Sequence, residues 1–233
     1  MEKNQYNLCM EVLKRLNAAG VLNQLILIGS WCLPFYKEYF ADAGYLPALK
    51  TRDIDFLIAS PSKIQGKTDI PELLKDLGFI VGFKGSKGYI RLEHPLLIVE
   101  FLVPEKGRGQ DEPVKIPQLA INAQSLRFLN LITEDTIEIE SGGLNLKLPH
   151  PIRYALHKII VSQRRSKPEK AIKDMEAGIG VLKALIGQGQ KNEIRKVLDS
   201  LPTKWKTKIR QGIEKLDEAS IVNVLFTDSQ KGI

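Results

Sequence analysis

Cysteine is scarce in this chain. Cys9 and Cys32 are the only two in 233 residues. They form neither a CxxC pair nor a metal-ligand spacing, so neither a disulfide framework nor a zinc site is expected. A reducing compartment is the natural setting. Histidine is nearly as rare: His94, His150 and His157 show no metal or triad spacing and are expected in solvated or loop roles. No apolar run approaches membrane-spanning length, so no membrane partner is expected. The opening "MEKNQYNLCM" has neither signal-peptide nor transit-peptide character, and a cytoplasmic location is the expectation. Internal repeats and low-complexity tracts are absent as well.

What the chain does have is an ordinary soluble balance, with 43% hydrophobic and 26% charged residues. Its length suffices for a real core without covalent staples. The charge is unevenly placed. From residue 150 onward there are 17 Lys+Arg against 9 Asp+Glu, and before it 17 against 18, which together give the overall +7. The basic excess of the last third suits a polyanion, either nucleotide phosphates or nucleic acid, and equally suits a solvated helical surface.

The pattern along the chain predicts α/β (α+β) architecture in residues 1–149 and a helical domain in 150–233. "NLCMEVLKRLNAAG" has helical spacing and a Gly stop. Residues 25–28 read as a strand, with Ser30 as N-cap of a helix through "WCLPFYKEYF". "ADAGYLPALKT" reads as a loop. Residues 53–59 form a second strand, "DIPELLKDLG" a short helix, and "FIVGFKGSKGYIRLEH" a hairpin. "PLLIVEFLVP" is another strand, and "TIEIESGGLNLKLP" a hairpin turning at Gly142-Gly143. Beyond "LPHPI", four stretches ending with "TKWKTKIRQGIEKLDEASIVNVLF" are helical in period.

Three acids stand out against this frame. Asp53 and Asp55 sit inside an apolar strand and share a face, because side chains at i and i+2 point the same way. Carboxylates held side by side repel unless a cation, protons or water intervene. Glu100 lies in the run "LLIVEFLVP", where a charge is costly unless paired or metal-bound. If the two strands are neighbours, all three converge as a hard, oxygen-rich site suited to Mg²⁺, which also binds substrate phosphates. Gly29-Ser30, where a strand turns into a helix, would offer backbone N–H groups to a phosphate.

Each piece also has a plainer reading. Asp-x-Asp occurs at many strand ends, and Gly-Ser is an ordinary helix start. Glu100 could pair with Arg91 or Lys84 across the sheet. Lys158 could pair with Asp174 and brace two helices. Trp31 and Trp205 fit packing roles. The basic turn Lys204, Lys206, Lys208 and Arg210 fits a solvated face as well as RNA phosphates.

The order strand, Gly-Ser, helix, Asp-x-Asp strand and later lone acid resembles the nucleotidyltransferase superfamily related to DNA polymerase beta, on Gly29, Ser30, Asp53, Asp55 and Glu100. The segment "LPHPIRYALHKIIVSQRRSKPEKAIKDMEAG" is similar to the part that follows the catalytic domain in bacterial AbiEii-type toxins. The 23-residue interval from Ser30 to Asp53 is longer than the superfamily pattern, and the surplus reads as a surface loop.

The resemblance implies a nucleotidyltransferase that uses Mg²⁺, two ions during turnover, held by Asp53, Asp55 and Glu100. It implies nucleotide contacts from Gly29, Ser30, Lys158, Arg164 and Arg165, with Asp174 organising the basic residues and the helical domain closing the cleft. The substrates would be an NTP, such as ATP, and a hydroxyl acceptor: a tRNA end, a protein or a small molecule. The rival expectation is a catalytically silent protein of this fold that holds RNA or a protein partner through its basic half.

Overall fold

The computed structural model describes residues 3–40, 51–105, 107, 112–216 and 218–226. Residues 41–50, most of the expected loop before Asp53, lie outside the described residues. Contacts among the described residues divide the chain into two units that part between Pro149 and His150, with Phe40 counted in the second.

The first unit opens with α1 (Lys3–Ala18), which buries Cys9, Val12, Leu13 and Leu16 at helical spacing. It ends before Gly20, whose φ of +68° favours glycine. Burial pushes the Cys9 thiol pKa far up, which leaves it an inert core residue. β1 (Ile26–Ile28) follows and is buried throughout. The chain then makes a 3₁₀ turn over Gly29–Trp31 and continues as α2 (Cys32–Phe40). Ser30 therefore lies inside a tight turn instead of capping the helix, and no side chain caps that turn. Pro34 falls in the first turn of α2, where its missing N–H costs nothing.

Among the described residues, a mixed seven-stranded sheet is built from β1, β2 (Asp53–Leu57), β3 (Ile80–Lys84), β4 (Tyr89–Glu93), β5 (Ile98–Pro104), β6 (Val114–Ile116) and β7 (Ile121–Leu126). Its main order is β1-β2-β5-β4-β3. β2 and β5 run parallel, while β1–β2, β5–β4 and β4–β3 are antiparallel. β7 joins the far end of β5 and carries β6. α3 (Ile70–Lys75) lies between β2 and β3, capped by Asp69, whose Oδ1 accepts from the Glu72 N–H at 2.9 Å.

Alternation sorts the two faces of the sheet. Ile54, Phe56, Val99, Phe101 and Leu92 are buried on one side, and the Phe56 and Phe101 rings stack at 5.9 Å. The other side receives Asp53, Asp55, Glu100 and Arg91. β8 (Thr136–Ser141) and β9 (Leu144–Pro149) form a separate hairpin. Its turn places Gly142 and Gly143 at φ of 57° and 75°, the positive-φ pair that a two-residue hairpin turn requires.

The second unit is helical: α4 (Pro151–Ser162), α5 (Pro168–Gly187), α6 (Lys191–Ser200), α7 (Thr203–Glu214) and α8 (Ala219–Phe226). The last stretch, expected to be helical in period throughout, is thus two helices. α4 is its centre and buries Tyr154, Ala155, Leu156, Ile159 and Ile160. Two glycines bring helices close to it. A Cβ at Gly178 of α5 would stand 2.9 Å from the Ala155 carbonyl, and one at Gly212 of α7 would stand 2.7 Å from Ile159 Cγ2. No helix among the described residues is long and apolar enough to cross a membrane.

Candidate active site

β2 and β5 are direct neighbours, as the convergence of the acids requires. Their register pairs Asp53 with Ile98 and Asp55 with Glu100. Residues paired across parallel strands share a face, so Asp53, Asp55 and Glu100 stand on one side of the sheet. β1 borders them from the other direction, with Ile28 opposite Asp55.

Gly29 follows directly, and it brings the turn against the acid pair. Its φ is +74°, and any Cβ there would run into Asp55 Oδ2. Glycine is thus needed twice over, for its backbone angle and for its lack of a side chain. Gly29 and Asp55 are brought together at the end of β1. Asp53 is held at the start of β2, where its N–H donates to Thr51 Oγ1 at 3.2 Å.

Glu100 is engaged otherwise. Lys84 of β3 reaches across β4 and donates to Glu100 Oε2 at 2.9 Å; the Glu100 side chain is only 13% exposed. Of the two cross-sheet partners considered, Lys84 is the one present. Arg91, opposite Glu100 in register, donates instead to Glu93 at 2.6 Å. Gly82 makes room for this pair, since a Cβ there would collide with Glu93 Oε1. A glycine inside the strand-like run "FIVGFKG" was the sequence signal for that close approach. Among the described residues, no three His, Cys, Asp or Glu side chains form a group able to hold a metal ion. The three carboxylates share a face, but they do not stand as a ready-made three-ligand cage.

The donor set nonetheless suits one class of ion. Asp53 and Asp55 are half-buried and present hard carboxylate oxygens on one face. Mg²⁺ is commonly held by one or two carboxylates together with substrate phosphates, not by an all-protein cage.

In the second unit, Lys158 Nζ donates to Asp174 Oδ1 at 2.5 Å, and Arg165 Nε to Asp174 Oδ2 at 2.6 Å. The side chains of Lys158 and Asp174 are 7% and 6% exposed, so this pair braces α4 against α5. Lys158 also lies 5.7 Å from the Tyr154 ring centre, a cation–π contact. Arg165 is 44% exposed in its side chain, and Arg164 is exposed too. Burial works to raise the Asp174 pKa, but the charges and hydrogen bonds of Lys158 and Arg165 hold it below the ordinary carboxylate range.

The histidines divide. His150 caps α4 through Nδ1, which accepts from the Ile152 N–H at 3.3 Å, and His94 Nδ1 accepts from the Leu96 N–H at 3.1 Å. His157 departs from the expected solvated role. It lies within α4, and its Nε2 is sealed from solvent without a hydrogen bond. Burial and then the Lys158 charge lower its pKa to about 3. A single residue in a helical run gave no signal of this.

Over residues 7–201 the sequence matches the family model described as nucleotidyltransferase. None of the curated proteins compared with it matches. The solved structures similar to it include an antigenic nucleotidyltransferase-like protein from Paracoccidioides brasiliensis, at 14% identity and a TM-score of 0.50, covering 95% of this chain and 97% of that one. The antibiotic-resistance factor ANT(2'')-Ia is similar in its solution structure at 11% identity and a TM-score of 0.48, over 95% and 99% of the two chains. Its crystal structure with adenylyl-2''-tobramycin is similar at 12% identity and a TM-score of 0.46, over 83% and 98%. Likeness at such identities concerns the fold. The family match covers most of the 233 residues, and the chain therefore belongs to this nucleotidyltransferase family.

Proposed function

We propose that this protein transfers a nucleoside monophosphate from an NTP such as ATP to a hydroxyl acceptor. The acceptor oxygen bonds to the α-phosphorus, the bond from that phosphorus to the β-phosphate bridge breaks, and pyrophosphate leaves. The observation that carries the reading is the Asp53–Asp55 pair on the sheet face, with Gly29 folded against Asp55. In this reading Asp53 and Asp55 hold Mg²⁺, which supplies neutralising charge to the phosphates when bound. The backbone turn at Gly29 and Ser30 orients the triphosphate. Glu100 receives the acceptor's proton and completes the carboxylate set once Lys84 releases it. The burial of Lys158 supports a bracing role, in which Asp174 holds Lys158 and Arg165 together. The protein supplies placement and charge, not a nucleophile of its own.

The experiment is incubation with each α-labelled NTP, Mg²⁺ and a cell extract, followed through the labelled product. Label should move to an acceptor with the wild type and not with Asp53→Asn/Asp55→Asn. Equal labelling by the folded double variant would overturn the assignment.

The Lys84–Glu100 pair favours a second reading, a catalytically silent protein of this fold whose basic half holds RNA or a protein partner. Absence of labelling with every NTP, together with lysine-dependent RNA or protein capture, would support it. The AbiEii likeness of residues 148–178 adds a toxin-like role in a bacterium. It predicts growth arrest on expression in a bacterial host, relieved by Asp53→Asn/Asp55→Asn.

A further inference from the structure

The first unit holds a second feature, at the other end of the same two strands. Ile26 of β1, and Ala59 and Ser60 just beyond β2, line a cavity of about 610 Å³. Ala59 lies four residues past Asp55, about 13 Å along extended chain, so the cavity stands apart from the acid pair. Lys63, Lys67 and Lys147 line it, and no acidic side chain does so among the described residues.

Two acids close to these lysines in sequence or strand register are engaged elsewhere. Asp69, two residues past Lys67, caps α3. Glu138, opposite Lys147 in the β8–β9 hairpin, accepts from Asn145 Nδ2 at 2.7 Å. Among the described residues, Lys147 Nζ donates to the Asn23 carbonyl, at a long 3.5 Å. Three cations thus face one hollow without a carboxylate among its lining.

The hollow is also held open by its own framework. Gln24 and Gln65 clasp each other across the rim: the Gln65 N–H donates to Gln24 Oε1 at 2.7 Å, and Gln24 Nε2 donates to the Gln65 carbonyl at 3.2 Å. The Thr68 N–H donates to the Gln118 carbonyl at 2.8 Å and fixes the far side of the loop. A site formed before its ligand arrives avoids the cost of ordering a loop on binding.

We infer that this cavity binds a small phosphorylated molecule at a site separate from the Asp53–Asp55 face. Its volume falls within the range of small-molecule sites, about 300–1,000 Å³. Lysine ammonium groups serve phosphate as compact point charges. Their convergence into one hollow, instead of a stripe along a surface, favours a small ligand over a nucleic-acid backbone.

The test is calorimetric titration of the full chain, without Mg²⁺, using inorganic phosphate, pyrophosphate and ribose 5-phosphate as probes. At least one should bind the wild type at a single site. Tighter ribose 5-phosphate would identify an organic phosphate as the ligand class, and tighter phosphate or pyrophosphate a free oxyanion. The same binding should persist in Asp53→Asn/Asp55→Asn, which separates this site from the proposed catalytic one. Lys63→Gln/Lys67→Gln/Lys147→Gln should weaken it about tenfold or more. Lys204→Gln/Lys206→Gln/Lys208→Gln removes equal charge elsewhere and should leave it unchanged. The single variant Lys63→Glu, at an exposed position, repeats the test with little risk to folding. The inference fails if none of the three probes binds, if the cavity variants bind as tightly as the wild type, or if the distant control weakens binding equally. It also fails if only single-stranded RNA binds in a manner that depends on the cavity lysines.

Discussion

The two units treat aspartate in opposite ways. On the sheet, Asp53 and Asp55 stand half-buried, two residues apart on one face. In the helical unit, Asp174 is 5% exposed and wrapped by Lys158 and Arg165. A carboxylate taken out of water needs cations close by, and Asp174 has two. Asp53 and Asp55 instead stand on a sheet face, with the Gly29 turn folded against Asp55. The Asp174 arrangement holds two helices together, the sheet arrangement is the one proposed to bind, and each can be tested by removing the same functional group.

The largest effect is expected from Asp174→Ala. It strands the buried Lys158 ammonium, and breaking such a pair costs about 3–5 kcal/mol. Urea unfolding should show it. The double change Lys158→Met/Asp174→Leu removes both charges and should recover much of that loss. If Asp174→Ala unfolds like the wild type, the pair does not brace α4 and α5.

Acid should weaken the helical unit next. His157 is held neutral, with a pKa lowered to about 3 by burial and by Lys158. The unfolded histidine titrates near ~6.5. Between those values the unfolded chain binds a proton that the folded chain does not, so stability falls as pH drops through that window. The slope is about 1.4 kcal/mol per pH unit. Asp174, whose pKa is also lowered, contributes above the unfolded carboxylate value and loses that contribution as pH falls further. Calorimetric melting of His157→Phe should show a flatter decline below pH 6.5 than the wild type. An equal decline would remove His157 from the account.

Gly29→Ala tests the sheet side. It forces a side chain into positive φ and against Asp55, a strain of about 1–3 kcal/mol, and should also impair Mg²⁺·NTP binding. A variant that melts lower yet binds nucleotide normally would separate the turn from the site. Lys84→Ala should change stability least, by about 0–1 kcal/mol, because Lys84 is 45% exposed. If Glu100 must be released for catalysis, transfer should hold or rise in this variant; a loss would make Lys84 part of the working site.

Much of the fold was legible because its signals are periodic. The apolar run of Ile54, Phe56, Leu57 and Ile58 marked β2, the glycine pair marked the β8–β9 turn, and the change of texture after Pro149 marked the helices. The short strands β6 and β7 were not anticipated. The three residues of β6, Val114–Ile116, carry too little pattern; β6 exists by pairing with its neighbour β7, which is itself laid against the more distant β5. α7 ends at Glu214, where the sequence has neither Gly nor Pro to mark the break before α8. At the candidate site, the shared face of Asp53 and Asp55 followed from strand geometry alone. The fate of Glu100 did not, because Lys84 meets it from two strands away and register decides such contacts. Lys158 could be read as a phosphate ligand or a brace. The Lys158–Asp174 contact depends on the packing of α4 on α5, made close by Gly178, which no local pattern announces.

One measurement bears most directly on the Asp53–Asp55 face: the melting temperature of the full chain with NTP, in the presence and absence of Mg²⁺, for the wild type and for Asp53→Asn/Asp55→Asn. The account predicts NTP stabilisation of the wild type only when Mg²⁺ is present, and none in the double variant, whose own melting temperature without ligand stays equal or rises as the paired charge is removed. Equal Mg²⁺-dependent stabilisation of both proteins, or a double variant that no longer folds, would contradict it.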